Sequence, residues 1–378
     1  DNGVGIAYML TLMKKSYLGE LDVGPLELLF TVDEEVGLCG AFQIEKDLID
    51  GNYLINLDSE EENAITIGNA GGITTKANFK VKYENIYNFK KEVVPVKLSI
   101  KGLIGGHSGV DIHRGHSNAL KVLAKVLWKL NNKFSIEIKS IDGGNRPNAI
   151  PREAQSIFFV NKNQFTEIMN FINIVISEIK QEISKIEPNI KITLEEIEKI
   201  DTKILPNKVK EKLIYLLYVI PNGPISNHPK IQNLIHTSTN LASINTNNNS
   251  IIIITSQRSF DENSKKDIYE KIEALFKLAD MNIDIQYVGD YPSWPPNFNS
   301  KLLRIAKETY EELFNEKVIV KAIHAGLETG ILKKQFPEIE MISIGPTVEG
   351  AHSPNERLRI KDVEKIWRFL ISLLKKLF

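Results

Sequence analysis

The chain has 378 residues, 42% hydrophobic and 25% charged, the composition of an ordinary globular protein that is too long for one core, so two domains are expected. Lys plus Arg number 47 against 48 Asp plus Glu, a formal net charge of −1, and no basic block concentrates that charge, which argues against a nucleic-acid or anionic-membrane partner. A single cysteine, Cys39, allows no internal disulfide, and neither a long apolar run nor a signal-peptide pattern is present, so a cytoplasmic protein is expected.

The chain opens at Asp1 without an initiator methionine, already inside a structured element, so its beginning is expected to be missing. Gly3 to about Lys15 reads as a buried helix presenting Ile6, Met9, Leu10 and Met13. Leu26–Val32 (LELLFTV), after Gly24-Pro25, reads as a strand, and Tyr53–Leu57 as another. From Val96 the pattern changes to period two, at 96/98/100, 134/136/138 and 190/192/194, which predicts sheets with one wet face. Amphipathic helices are expected near Ser117–Leu130, Phe165–Ile183, Asn207–Val219 and Ser264–Ala279, with a hairpin turn at Asn247–Asn249. After Tyr291–Pro296 (YPSWPP) the first style returns: a helix over Lys301–Phe314, strands at Lys317–Ile323 and Glu340–Ile344, and a last helix from about Lys361. The expected class is α/β: a discontinuous domain, 1–72 and 291–378, with a largely parallel sheet, interrupted by an α+β domain over 73–290.

Four short stretches combine acids or histidine with turn residues where strands end. They are Asp1-Asn2-Gly3, the Glu34-Glu35 pair in TVDEEVGLCG, Asp58 in LDSEEE, and His352 in GPTVEGAHSPNE. Singly, each has a plain explanation: a helix cap, a solvated acidic turn, a loop histidine. Together they fit a two-metal site, in which Asp1 bridges, Glu35 and His352 serve one ion and Asp58 the other. One glutamate of the pair is then free to act as a base beside its metal-holding neighbour.

The stretches DNGVGIAYML, FTVDEEVGLCGAF, LINLDSEEE, GLIGGHSGVDIHRG, NRPNAIPREA, YPSWPP, IHAGLETG and ISIGPTVEGAHSPNERL run in order from residue 1 to about 360. This set resembles the aminoacyl-histidine dipeptidases, carnosinase-like enzymes within the di-zinc exopeptidases that include carboxypeptidase G. GGHSGVDIHRG and GPTVEGAHSPNE are its specific motifs, whereas DEEVG alone is weak. The resemblance implies that Asp1 is the bridging aspartate, that Glu34 is the general base, and that Glu35, Asp58 and His352 are terminal zinc ligands. It implies that His107 stabilises the oxyanion, and that Asn148 and Arg258 hold the substrate carboxylate; for Arg258 an edge-strand charge is the equal alternative. The family also carries an upstream His-x-Asp, whose His is the remaining ligand; no residue of this sequence before Asp1 matches it, and a partial metal site is expected.

The implied reaction is hydrolysis of Xaa-His dipeptides of the carnosine type, with broad specificity allowed, using two Zn2+ for which Co2+ or Mn2+ can substitute. Implied with it are a small peptide substrate and a homodimer formed through the lid-like middle domain. Two other readings stay open: hydrolysis of N-acyl amino acids at the same site, and a non-catalytic fragment.

Overall fold

A computed structural model describes residues 2–86, 92–198, 200–280, 282–351 and 355–378. The chain divides into two compact units, Asp1–Gly71 with Tyr291–Phe378, and Gly72–Asp290.

The first unit holds a four-stranded sheet in the order Tyr53–Asn56, Glu340–Ser343, Ala64–Asn69, Ile319–Ile323. Its outer pairings are parallel, and the central contact, Ser343 with Thr66, is antiparallel, so the sheet is mixed rather than uniformly parallel. The helices Lys301–Phe314 and Ile360–Leu377 form as their periodicity predicts and bury Leu302, Ala306 and Tyr310 against Ile366, Leu370 and Leu373. The first of them is capped by Ser300, whose Oγ accepts from Leu303 N at 3.2 Å.

Two expectations fail in this unit. Leu26–Val32 is not a strand: no described strand pairs with it, and an apolar run without a ladder partner stays irregular. The first helix, Gly3–Tyr17, forms, and of the face expected to be buried only Met9 packs on the core. It buries Tyr8 and Leu12, with the Tyr8 hydroxyl donating to Val363 O at 2.8 Å, while Ile6, Leu10 and Met13 are exposed. Apolar residues stand on both sides of this helix, so periodicity alone could not select the buried face.

Among the described residues the second unit is built on a nine-stranded sheet, antiparallel in its registered pairs, with the strands 93–101, 136–143, 154–161 and 191–196 at one end and 235–246 and 250–259 further along. Alternation along these strands sends Val96, Leu98 and Ile100 into a core shared with the helices Ala119–Lys133, Phe165–Ile183, Asn207–Val219 and Glu262–Leu278. Lys97 and Thr193, on the opposite face, stay accessible. The expected hairpin turn closes with Asn247 N donating to Ser250 O at 2.8 Å.

Candidate active site

In the first unit Asp58 lies just past the carboxyl end of the strand Tyr53–Asn56, where open α/β folds build sites. Glu34 and Glu35 open a tight turn in irregular chain, not the end of a strand. Leu38 N donates to Glu34 O at 2.9 Å and Gly40 N to Val32 O at 2.9 Å, closing the loop on itself. Gly40 is required there: a Cβ would stand 2.6 Å from the Val32 backbone. Leu38 and Ala41 then pack on Ile331 of the helix Glu328–Gln335, and Thr31 Oγ1 donates to Glu328 Oε2 at 2.9 Å. The turn is therefore anchored to the start of that helix, leaving Glu34 half-buried and Glu35 exposed.

Asp58 follows the strand Tyr53–Asn56, its N–H donating to Asn56 Oδ1 at 3.1 Å. The loop after Glu340–Ser343 passes directly over this turn. Gly345 has no room for a side chain, since a Cβ would lie 1.7 Å from Ser59 O, and Val348 N donates to Glu60 O at 3.2 Å. That loop leads towards His352, which, like Asp1, lies outside the described residues.

Burial, and after it the negative charges of Glu34 and Glu328, push the Asp58 carboxyl up to about 7. Burial also raises Glu328, against the hydrogen bond from Thr31. Carboxylates held together under this strain are a donor set that a divalent cation would relieve, and oxygen donors of this kind suit zinc. Among the described residues no three His, Cys, Asp or Glu stand close enough together to enclose an ion. Of the expected ligands the described part thus supplies Asp58 and Glu35 separately, with Glu328 an additional acid beside Asp58. Sequence reading missed Glu328, because an acid opening a helix is ordinarily a favourable charge at the N-terminus.

A carboxyl whose pKa is raised by folding stabilises the folded state while protonated, and that contribution is lost as pH rises through the raised value. Metal-free protein is therefore expected to lose stability between about pH 4, the ordinary carboxylate value, and about pH 7. Asp58→Asn should flatten this slope. Melting temperature against pH in chelator measures it, and an unchanged slope in the variant would show that other groups carry it.

The second unit gathers His107, Asn148 and Arg258 around one part of its sheet. The short strand Gly106–His107 pairs with Ala149–Ile150, so that His107 faces Ala149, and Ser108 N donates to Asn148 O at 2.8 Å. Gly106 has a φ of 131° and its Cβ position is filled by Asp111, whose Oδ2 accepts from His107 N at 2.8 Å. His107 Nδ1 accepts from Val110 N at 3.0 Å and Gly109 N at 3.2 Å. The neutral ring therefore carries its proton on Nε2, the tautomer of a hydrogen-bond donor. The loop carrying this histidine is pinned at both ends by one fully buried carboxylate, Glu187, which accepts from Ile104 N and Ser117 N at 2.8 Å each. Glu187 also escaped the sequence reading, because nothing local marks an acid beyond the end of a helix as the clamp of a loop some 70 residues earlier.

Asn148 is exposed beside this loop. Asn240 Nδ2 donates to Ala149 O at 2.8 Å, tying that segment to the strand Ile235–Thr246, where Ser238 lies opposite Arg258. Arg258 belongs to an internal strand and is 6% exposed, so the edge-strand reading of its charge does not hold.

Residues 98–187 match the family model described as a peptidase dimerisation domain. The whole chain is 35% identical to the cytosol non-specific dipeptidase of Escherichia coli K12, covering 76% of that protein. The chain belongs to the M20 peptidase family. Membership makes it a hydrolase of peptide bonds in a metal-dependent family, with the α/β fold and inserted domain of that group. An aminoacylhistidine dipeptidase from Vibrio alginolyticus superposes on all of this M20 chain with a TM-score of 0.89 and 31% identity, over 75% of its own length. An aminopeptidase PepT from Bacillus cereus, at 13% identity and a TM-score of 0.51 over 99% of the chain and 70% of its own, shares the fold. No helix among the described residues is long and apolar enough to cross a membrane.

Proposed function

We propose that this protein is a cytoplasmic, zinc-dependent dipeptidase that acts on Xaa-His substrates and accepts other dipeptides, and that it works as a homodimer built through the second unit. The observation that carries the reading is the carboxylate group around Asp58, with Glu34 near enough to raise its pKa. The similarity to one relative named for histidine-containing substrates and to another named non-specific favours a preference over strict selection.

Asp58 and Glu35 would hold zinc together with Asp1 and His352, each ion supplying Lewis acidity that brings the pKa of water towards about 7 and polarises a carbonyl. Glu34 takes the proton of the attacking water and returns it to the departing amine; its half-buried position keeps the carboxylate short of full hydration. His107 donates from Nε2 to the oxygen that gains charge, a contact that strengthens as the transition state forms. Arg258 takes both oxygens of the substrate's terminal carboxylate, and Asn148 helps orient it.

The test is a comparison of kcat/KM on Ala-His, β-Ala-His, Ala-Ala and N-acetyl amino acids, with chelation and zinc restoration. Hydrolysis of the free dipeptides that is lost to chelator and restored by zinc supports the reading. Turnover of N-acetyl amino acids alone would replace it with the acylase alternative. Within the proposed site, Arg258→Lys is expected to raise KM for dipeptides about tenfold with kcat changed less, because a lysine cannot reproduce the two-pronged contact. Steady-state kinetics on Ala-His read this directly, and an unchanged KM would remove Arg258 from the site.

A further inference from the structure

Three rings of the second unit have no part in the chemistry above. His228 and His236 have centroids 5.6 Å apart, Phe260 stands edge-on to His228 at 5.6 Å, and His236 stacks with Phe260 at 6.3 Å and 27°. Phe260 is buried, and both imidazoles are half-buried. Their register places them relative to Arg258. Ser238 pairs with Arg258, and Phe260 N donates to His236 O at 3.1 Å, so the two pairs are one two-residue step apart along the same strands. Period two puts both pairs on one face, about 7 Å apart along the strand. The side chain of a residue anchored by its carboxylate at Arg258 can span that distance.

The two imidazoles are fixed differently. His228 Nδ1 accepts from Ile231 N at 3.1 Å and Lys230 N at 3.3 Å, the same arrangement that fixes the tautomer of His107. Its proton therefore sits on Nε2, and burial, then His236 and Lys230, keep the ring towards the neutral form. A ring in this state offers no free lone pair to a metal, which removes a two-histidine metal site as the explanation. His236 Nδ1 is sealed from solvent with no hydrogen-bond partner among the described residues. The accessible edges of the two half-buried imidazoles, not this nitrogen, are what a bound side chain can touch.

We propose that His228, His236 and Phe260 form the subsite for the side chain of the substrate's C-terminal residue, selecting planar, nitrogen-bearing rings over aliphatic groups. A substrate imidazole packs against the accessible edges of the two half-buried histidines, backed by Phe260, and accepts from His228 Nε2–H; a leucine side chain cannot accept that hydrogen bond. This rests on the reading of Arg258 as the carboxylate anchor and supplies the physical source of an Xaa-His preference.

The experiment measures kcat and KM on Ala-His, Ala-Phe and Ala-Leu for the full-length, zinc-loaded protein and for His236→Leu, His228→Leu and Arg258→Lys. The parent should prefer Ala-His to Ala-Leu, and each histidine variant should lower that preference about tenfold, through KM for Ala-His, as expected when a pocket loses polar partners for its ligand. Thermal melts monitor folding; should a leucine variant melt early, His236→Asn and His228→Asn, which keep a polar group and lose the ring, carry the same readout. An unchanged Ala-His to Ala-Leu ratio in the variants, with Arg258→Lys still raising KM for every dipeptide, overturns the subsite and leaves the dipeptidase reading standing. Absence of dipeptide hydrolysis by the parent protein overturns both.

Discussion

Glu34→Gln is expected to lower kcat on Ala-His by about a thousandfold or more, while the protein keeps its fold and its metal, since a lost general base typically costs a factor of about 10²–10⁴. The change is nearly isosteric and leaves the turn intact. The bonds across that turn are backbone ones, Leu38 N donating to Glu34 O and Gly40 N to Val32 O. An amide cannot accept the proton of water at neutral pH, so the loss falls on kcat. KM for the dipeptide should change little, because Glu34 is assigned no contact with the bound substrate before proton transfer. The variant should also relieve Asp58, whose pKa is raised in part by the Glu34 charge, and so shift any residual activity to lower pH. Wild-type turnover in Glu34→Gln, or loss of activity only through loss of metal, contradicts the assignment.

His107→Ala is expected to reduce kcat about a hundredfold to a thousandfold, the usual cost of one oxyanion donor, with KM near the parent value. The structure explains why the effect should be large. Two backbone N–H groups hold Nδ1 as an acceptor, Asp111 holds the His107 backbone, and Glu187 pins both ends of the loop, so the donor is set before substrate arrives. A preorganised donor is stronger in catalysis than a mobile one, because little reorganisation is left to the transition state. A variant with unchanged kcat would show that another group stabilises the oxyanion.

Much of this was legible in the sequence where packing and periodicity agree. The helices Phe165–Ile183, Asn207–Val219 and Lys301–Phe314 have the bounds their apolar spacing predicts, and the alternation at 96/98/100 marks the buried face of its sheet. Periodicity failed where it was not the deciding force. Leu26–Val32 has the composition of a strand, but a strand is made by its neighbours, and none of the described strands pairs with it. The first helix has apolar residues on two sides, and packing against Val363 and Trp367 chose Tyr8. At the site, GGHSG and DEEVG single out His107, Glu34 and Glu35 through their resemblance to a family's motifs, not through periodicity. Glu328 and Glu187 could not be found that way, because their roles come from contacts made across the fold, with Thr31 in one case and the His107 loop in the other.

In the proposed mechanism the two adjacent glutamates have different work: Glu35 holds metal and Glu34 moves a proton. Zinc content of Glu34→Gln and Glu35→Gln, measured by elemental analysis on full-length protein after dialysis against trace zinc, tests it most directly. Glu34→Gln is expected to retain the parent's zinc and Glu35→Gln to lose at least part of it, both with activity largely lost. Equal zinc in the two variants, or loss confined to Glu34→Gln, would contradict it.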